Sequence, residues 1–477
     1  MCSFPPLDNR TAWTLPEMRC TAQQEWPSWE RSLPPTTTAF GSAVIMPAND
    51  ASYSALGSQW SVALTQQPRL GWWILAGGTA AAAVATLTPD PSSEALTATT
   101  SVWCLVCGQE GMADVLANLL LFLPLGIGVG LAGGAVFRAA LIGFLVSLAM
   151  ESLQLTAIAG RDASLSDLVT NTSGAMLGWT LAHHWEVLVL PSARQARHLL
   201  LVGSAMLLGV HTGVAFLLQP SLPAGTWDHT TDPDRPGYNP FLGQILETKI
   251  GDIPIGSPPL NRAGRERAGL LRGDSLQVTF TTGPISPGIE PVAAVAAGDR
   301  QLLAVGRRGL DLEWQIRLRA NAWRLRSPRI HLHQIVPPNA GDTVVTWVGV
   351  RNGTLYAGGL TSEDRWRRQR PLTVALGWSL LAPWTETFGD DGKMLSLMWV
   401  SLLAFPLAYW AQRTQKPVSG LALVVSILLA GMELAPRLLQ LPGSSPADWV
   451  AAGTGALSGS LVGFYGTRFW PLTGGSR

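Results

Sequence analysis

The chain has 477 residues, of which 14% are charged and 47% are hydrophobic, and its mean hydropathy is +0.22. Soluble domains usually carry about 25% charged residues, so this composition excludes an ordinary soluble protein and favours one that lies largely in a membrane. The net charge of +1 gives no field that would attract nucleic acid, and we predict no nucleic-acid partner.

Residues 1–68 are rich in Thr, Ser and Pro and show no sustained hydrophobic period. They lack the basic stretch followed by an apolar run that marks a secretory signal peptide. We interpret them as a disordered segment that precedes the first membrane helix.

Eight stretches are read as membrane-spanning helices, which need about 20 mostly apolar residues. They lie at residues 70–87, 113–132, 136–157, 166–185, 198–218, 394–411, 418–440 and 447–467. We predict a bundle of five helices at 69–218, a bundle of three helices at 394–467, and a short tail at 468–477. The lipid bilayer is therefore the first predicted partner.

The basic residues of the short loops predict the orientation, because such loops are enriched in Arg and Lys on the cytoplasmic side. Six of them fall on one side of the predicted helices: Arg69, Arg138, Arg194, Arg197, Arg413 and Lys416. This distribution predicts that both termini are cytoplasmic and that residues 219–393 are extracytoplasmic. The exception is Arg161, which lies in a short loop on the other side.

The segment at 219–393 contains short runs with β-branched and aromatic residues, separated by turn residues. Apolar and polar residues alternate along Asp311–Arg319, which predicts a strand with one buried face. The predicted strands are Ser275–Thr281, Gln301–Val305, Leu310–Leu318, Arg329–Ile335 and Thr343–Val350. The predicted fold class is an α-helical polytopic membrane protein with an inserted all-β domain, a sandwich or jelly roll.

Ionisable and amide side chains inside apolar helices are candidate site residues, because burying charge in lipid costs several kcal/mol. In chain order they are Asp114 and Asn118 on the second predicted helix, Glu151 and Gln154 on the third, Arg161 in the next loop, and Asp167 and Asn171 on the fourth. In the predicted topology all of them lie in the outer half of the membrane. Arg161 is then placed to pair with the carboxylate of Glu151 or Asp167.

Three ordered motifs on these helices resemble those of the VanZ-like family. They read Asp114-x3-Asn118-x5-Pro124-x-Gly126, then Glu151-x2-Gln154-x6-Arg161, then Asp167-x3-Asn171-x2-Gly174-x3-Gly178. The resemblance covers residues 111–185. It implies a helical membrane fold and, through the protein that gave the family its name, a link to tolerance of the glycopeptide teicoplanin. It implies no defined reaction.

The last three predicted helices resemble a degenerate second copy of these motifs. The interval of 27 positions from Pro124 to Glu151 recurs from Pro406 to Glu433. The copy also retains Asp448, Gly455 and Gly459. It lacks counterparts of Asn118, Gln154, Arg161 and Asn171. We therefore expect the ligand site in the first bundle.

The insert from 225 to 390 resembles a concanavalin A-like, or laminin-G-like, jelly roll. The residues that carry this resemblance are Leu303–Gly306 with the strand that follows, and Asp342–Val350 with its turn at Asn352-Gly353. Members of this fold bind glycans or serve as adhesion and spacer modules, so both alternatives stay open.

We predict no metal and no cofactor. Cys104 and Cys107 form a C-x-x-C motif without the second pair that a tetrahedral zinc site needs. His331 and His333 share one face of a predicted strand, but no carboxylate cluster stands near them in the sequence. Walker, nucleophile-elbow and dinucleotide motifs are absent from the sequence.

The leading hypothesis is an envelope protein whose first bundle engages a lipid-linked or amphiphilic ligand, while the insert binds or spaces glycans. Glu151 and Asp167 would be charged anchors and Arg161 the partner of an anionic headgroup. The amides of Asn118, Gln154 and Asn171 would form a hydrogen-bonding wall.

Three alternatives stay open on the same residues. The first is a membrane enzyme in which Glu151 or Asp167 acts as acid or base on a lipid. The second is a membrane-anchored adhesion protein without catalysis. The third is a structural ion-pair network that only holds the helices together.

Overall fold

A computed structural model describes most of the chain. The described residues are 68–88, 103, 106, 108, 110–157, 164–230, 239–255, 264–286, 288–298, 300–362, 364–382 and 390–469. The predictions made for residues 1–67 and 470–477, for Cys104 and Cys107, and for Arg161 lie outside the described residues.

The N-terminal half is helical. Its helices are α1 Pro68–Leu87, α2 Gly111–Leu131, α3 Val136–Ala157, α4 Leu165–His183, α5 Trp185–Val189 and α6 Ala193–Leu217. Two of the longer helices begin at serine caps, since a serine oxygen accepts a backbone N–H that the first turn leaves unpaired. Ser164 accepts from Asp167 at the start of α4, and Ser192 forms a capping box with Gln195 at the start of α6.

The next part is a β domain of two antiparallel sheets. Its elements are β1 Asp228–Thr230, β2 Gln244–Ile250, β3 Ile253–Pro254, α7 Gly264–Arg272, β4 Ser275–Thr281, β5 Ile289–Ala297, β6 Arg300–Arg308, β7 Asp311–Ile316, β8 Arg329–Leu332, β9 Thr343–Arg351, β10 Thr354–Leu360 and β11 Arg365–Pro371. One sheet has the order β1-β5-β6-β7-β8 and the other β11-β10-β9-β4-β2-β3. The five predicted strands correspond to β4, β6, β7, β8 and β9.

The two sheets contribute to one continuous hydrophobic core. The rings of Trp314 on β7 and Trp366 on β11 have centroids 5.4 Å apart, so side chains of both sheets meet there. Trp314 is buried, as the alternation of the β7 sequence predicts. The observed class is therefore a β-sandwich-like domain inserted between helical segments.

The C-terminal helices are α8 Asp390–Gln412, α9 Pro417–Leu429, α10 Ala435–Leu438 and α11 Pro446–Phe469. A wider π turn at Ala430–Leu434 joins α9 to α10, so that Pro417–Leu438 forms one apolar segment. Pro436 lies just beyond the turn. Because a proline has no N–H and crowds the preceding turn, a local change in helix pitch is expected beside it.

Six described helices are long and apolar enough to cross a membrane, so the protein is a multi-pass membrane protein. They are Pro68–Leu87, Gly111–Leu131, Val136–Ala157, Ala193–Leu217, Gly392–Gln412 and Pro417–Leu438. Helices α4 and α11 form where the fourth and eighth spans were predicted, but they fall outside this group. Their sequences are rich in Gly, Ser, Thr and Ala, which lowers their hydropathy.

The β domain contacts the N-terminal helices through the start of α2. The backbone N–H groups of Met112 and Ala113 donate to the carbonyl oxygen of Arg324 at 3.1 and 3.3 Å. Both amides belong to the first turn of α2, where N–H groups lack the usual partner four residues earlier, and the Ala113 N–H is shared with the carbonyl oxygen of Glu110 at 2.9 Å. A carbonyl of the β domain therefore satisfies the exposed end of a membrane helix.

The β domain also contacts the C-terminal helices. Arg370 on β11 donates from Nη2 to Oγ of Ser396 on α8 at 3.1 Å. Thr373 donates from Oγ1 to Oδ2 of Asp448 on α11 at 3.3 Å. The sandwich is thus joined by polar contacts to helices on both sides of it in the sequence.

Candidate functional site

Glycines set the distance between α2 and α4. A Cβ added at Gly174 would collide with the carbonyl oxygen of Leu119, and one added at Gly178 with that of Leu123. Small residues allow helix backbones to approach this closely inside a membrane. The close approach brings the polar side chains of the two helices within bonding distance.

Asp167 and Asn118 meet at this contact. Asn118 donates from Nδ2 to Oδ1 of Asp167 at 2.6 Å. The backbone N–H of Asp167 donates to Oγ of Ser164, the cap of α4, at 3.1 Å. A carboxylate in the first turn is favoured because the N-terminus of a helix carries partial positive charge. The two residues tie α2 to the start of α4.

Glu151 lies near the end of α3 and is only 9% exposed. Its Oε2 accepts the backbone N–H of Ser164 at 2.8 Å, which joins α3 to the start of α4. The carboxylate of Asp167 acts on it as a neighbour of like charge. Within the described residues no Arg, Lys or His forms an ion pair with Glu151. The predicted partner Arg161 lies outside those residues.

Gln154 and Asn171 each form a hydrogen bond through the amide nitrogen but not through the amide oxygen. Gln154 donates from Nε2 to the carbonyl oxygen of Thr86 on α1 at 2.9 Å. Asn171 donates from Nδ2 to Oγ of Ser147 on α3 at 3.0 Å. Both amide oxygens, Oε1 of Gln154 and Oδ1 of Asn171, are buried, and among the described residues neither has a hydrogen-bond partner. Buried acceptors left in this state cost about 1–3 kcal/mol each.

Asp114 takes part in a different contact. Its Oδ1 accepts from Nη2 of Arg326 at 2.8 Å, and Nη1 of the same arginine lies 2.9 Å from Glu110. The side chain of Asp114 is 52% exposed. The structure therefore brings together five of the predicted site residues, which we call the membrane polar cluster: Asn118, Glu151, Gln154, Asp167 and Asn171. Asp114 instead connects α2 to the β domain.

The C-terminal helices repeat the packing of α2 against α4. A Cβ at Gly455 of α11 would collide with the carbonyl oxygen of Ser401 on α8, and one at Gly459 with that of Phe405. The serine cap recurs as well, because the N–H of Asp448 donates to Oγ of Ser445 at 3.2 Å. The same backbone frame thus holds the carboxylates at both ends of the chain.

The carboxylates of the C-terminal helices have nearby partners of their own. Glu433 accepts from Nη2 of Arg437 at 2.7 Å and from Nε1 of Trp449 at 2.8 Å. Asp448 accepts the backbone N–H of Ser445 at 2.8 Å and the hydroxyl of Thr373. Each carboxylate is therefore engaged by at least two donors.

Sequence reasoning missed Thr86, Ser164 and Arg326, which hold members of the predicted set. The pattern Ser164-x-x-Asp167 before an apolar helix is a capping signal and would have identified Ser164. No local sequence pattern identifies Thr86, because it contributes only a backbone carbonyl oxygen to the contact. Arg326 lies 212 positions from the aspartate that it contacts.

The membrane polar cluster lies at the end of the bundle that faces the β domain. Asn118 is in the second turn of α2, whose first amides donate to Arg324. The cluster offers two carboxylates and two carbonyl oxygens that have no hydrogen-bond partner among the described residues, so it is rich in acceptors. Such a set of acceptors is complementary to a ligand that presents hydroxyl, amide N–H or ammonium donors.

Comparison with known proteins identifies one domain. The VanZ/LLP1 family model matches residues 62–188. A VanZ-like domain is thus present, and it contains every member of the membrane polar cluster. No curated protein and no solved structure matches the chain.

Proposed function

We propose that the VanZ-like domain binds the polar part of a lipid-linked or amphiphilic envelope ligand at the membrane polar cluster. Glu151 and Asp167 are the charged anchors, and Arg161 is the partner of an anionic headgroup. The hydrogen-bonding wall consists of Asn118, Gln154 and Asn171. Through this ligand the protein contributes to glycopeptide tolerance, the property from which its family takes its name.

One observation carries this proposal. The amide oxygens of Gln154 and Asn171 are buried and have no hydrogen-bond partner among the described residues. A helical bundle that only needed internal cohesion would gain by pairing or removing such acceptors. In the C-terminal helices Glu433, the equivalent of Glu151, accepts from Arg437 and Trp449, whereas Glu151 accepts one backbone N–H among the described residues. A ligand that supplies donors to the N-terminal cluster accounts for the difference.

We further propose that eight helices cross the membrane, with both termini in the cytoplasm and the β domain outside. The support is the contact of the β domain with the polar ends of α2 and α11, together with the positive residues of the opposite loops. The sandwich then stands at the surface where envelope glycans lie, as a binding or spacer domain. A reporter fused after Leu360 that is active only outside the cytoplasm tests this orientation.

The binding proposal is tested by comparing Glu151→Gln with Glu433→Gln. Both variants remove one charge from a helix that packs against a serine-capped partner helix. In a strain whose teicoplanin tolerance depends on this protein, Glu151→Gln is expected to lower tolerance, while Glu433→Gln retains it. Membrane abundance of both variants is measured in parallel. Unchanged tolerance of Glu151→Gln at normal abundance would exclude the proposed role, and lost abundance would favour a structural network.

An enzyme that acts on a lipid is the second candidate function. The observation in its favour is that Glu151 and Asp167, two carboxylates of adjacent helices, lie close enough to influence each other. Acid and base roles need such a pair in different environments. Conversion of a membrane lipid that stops in both Glu151→Gln and Asp167→Asn would identify it. A membrane-anchored adhesion protein would instead keep glycan binding by the full-length chain in both variants.

A further inference from the structure

The outer face of the first sheet brings together three side chains that the sequence keeps apart. Asp311 begins β7, His331 lies on β8, and His333 follows β8 directly. Strands β7 and β8 are antiparallel neighbours, with Leu312 opposite Leu332. This pairing brings Asp311 to both histidines although 20 positions separate it from the nearer one.

The geometry converges on a single oxygen. Oδ2 of Asp311 lies 3.1 Å from Nε2 of His331 and 3.1 Å from Nδ1 of His333. All three of these atoms lie within 4.8 Å of one another. A tetrahedral Zn²⁺ ion holds its nitrogen and oxygen ligands at about 2.0–2.2 Å, which places neighbouring ligands roughly 3.3 Å apart. The two spacings of 3.1 Å match this separation, and the third, between the two histidine nitrogens, is at most 4.8 Å.

The other oxygen of the carboxylate is held in place. Oδ1 of Asp311 accepts the backbone N–H of Gln334 at 2.8 Å. Gln334 adopts a positive φ of 54°, a backbone conformation that residues other than glycine seldom take. A hydrogen bond to one carboxylate oxygen, here Oδ1, orients a metal-binding carboxylate and leaves the other oxygen, Oδ2, for the ion.

The residue types fit one class of ion. We propose that Asp311, His331 and His333 bind a divalent transition-metal ion, Zn²⁺ by preference, through two nitrogens and one oxygen. The nearby carboxylate of Glu313 is engaged by Arg329 at 3.2 Å. Three protein ligands leave a coordination position for water or for an oxygen atom of a ligand. The side chain of His333 is 59% exposed, so the ion can reach the site from solvent.

Zinc binding by the full-length protein in detergent micelles tests the proposal. The protein is stripped with a chelator, its thiols are alkylated, and Zn²⁺ alone is added. We expect one Zn²⁺ per chain that the wild type retains and that Asp311→Asn, His331→Gln and His333→Gln lose. Loss of a supporting residue weakens metal binding by roughly 10–100-fold, and loss of a ligand should weaken it at least as much.

The matched control is His198→Gln, which removes an exposed histidine of α6 and should leave the stoichiometry unchanged. Asp311→Asn also disturbs the hydrogen bond to Gln334. We therefore use His333→Gln as the variant least prone to unfold. The melting temperature of His333→Gln without metal is compared with that of the wild type. Co²⁺ bound to the wild type should give visible ligand-field bands that His333→Gln lacks. A wild type that binds no Zn²⁺, or a bound ion that all three variants retain, would overturn the proposal and leave a hydrogen-bonded triad.

Discussion

The N-terminal and C-terminal helices use the same backbone contact but differ in how their carboxylates are satisfied. Gly178 and Gly459 each rest against a backbone carbonyl of the helix opposite. Glu433 has Arg437 and Trp449 as donors, whereas Glu151 has one backbone N–H among the described residues. Packing and the proposed ligand binding can therefore diverge, because different residues of the same helices account for them.

The largest effect is expected at the shared glycines. In Gly178→Ala and Gly459→Ala the new methyl group meets a backbone carbonyl, and each change should lower the free energy of unfolding by roughly 1–3 kcal/mol. The controls Gly77→Ala and Gly453→Ala place a methyl group in open space and should be neutral or slightly stabilising. Thermal unfolding in detergent measures all four. Destabilisation by only one of the first two variants would contradict a common frame.

A smaller effect is expected where arginines of the β domain meet the two sets of helices. Arg326→Ala removes contacts to Glu110 and Asp114 and should cost about 1–2 kcal/mol. Arg370→Ala removes one hydrogen bond, to Ser396, and should cost about 1 kcal/mol. Hydrogen exchange of the first amides of α2 should accelerate in Arg326→Ala alone. The exposed Arg272→Ala serves as the control, and equal protection in all three proteins would show that Arg326 does not anchor the domain.

The serine caps should contribute equally to stability in both places. Ser164→Ala and Ser445→Ala each lose one cap bond, and each should lower the free energy of unfolding by about 1 kcal/mol. Ser164 also positions the N–H that Glu151 accepts, so tolerance should fall only in Ser164→Ala. Equal loss of tolerance in both variants would indicate that stability alone limits the function.

The smallest effect on stability is expected when the N-terminal site is given the arginine of the C-terminal one, because the substitution lies in the last turn of α3, from which a long side chain reaches the membrane interface. Leu155 lies four positions after Glu151, just as Arg437 lies four positions after Glu433, and the side chain of Leu155 is 70% exposed. Leu155→Arg supplies the same pairing, worth about 0.3–0.5 kcal/mol on a helix, and should abolish tolerance at normal membrane abundance. Leu153→Arg adds the same charge away from Glu151 and should retain tolerance. Equal tolerance in both variants would mean that Glu151 is not a ligand anchor.

Local periodicity predicted much of the fold. The alternation around Asp311 located β7, and the four-residue spacing of Asp167 and Asn171 placed both on one face of α4. Strand β11 was missed because Arg365–Arg370 reads as a charged run, although Trp366 alone on that strand is buried in the core. The hydrophobic contribution of one tryptophan outweighs the charges around it, and no local pattern reveals that.

Long-range partners account for what the sequence did not predict. Asp114 lies one helical turn before Asn118, as predicted, and an arginine of the distant β domain binds it, which no local pattern indicates. His331 and His333 lacked a carboxylate in the nearby sequence, and the β7–β8 pairing supplies Asp311. Helix and strand periods specify which face a residue occupies. The partner on that face depends on how distant segments pair.

The cap that Arg324 places on α2 gives the assembly of this protein an order in time. The segment containing Arg324 leaves the ribosome about 10–40 s after α2, given synthesis at roughly 5–20 residues per second. During that interval the N–H of Met112 lacks the carbonyl that accepts it in the folded protein. The contact between the first helical bundle and the sandwich therefore forms only after the sandwich segment has been synthesised.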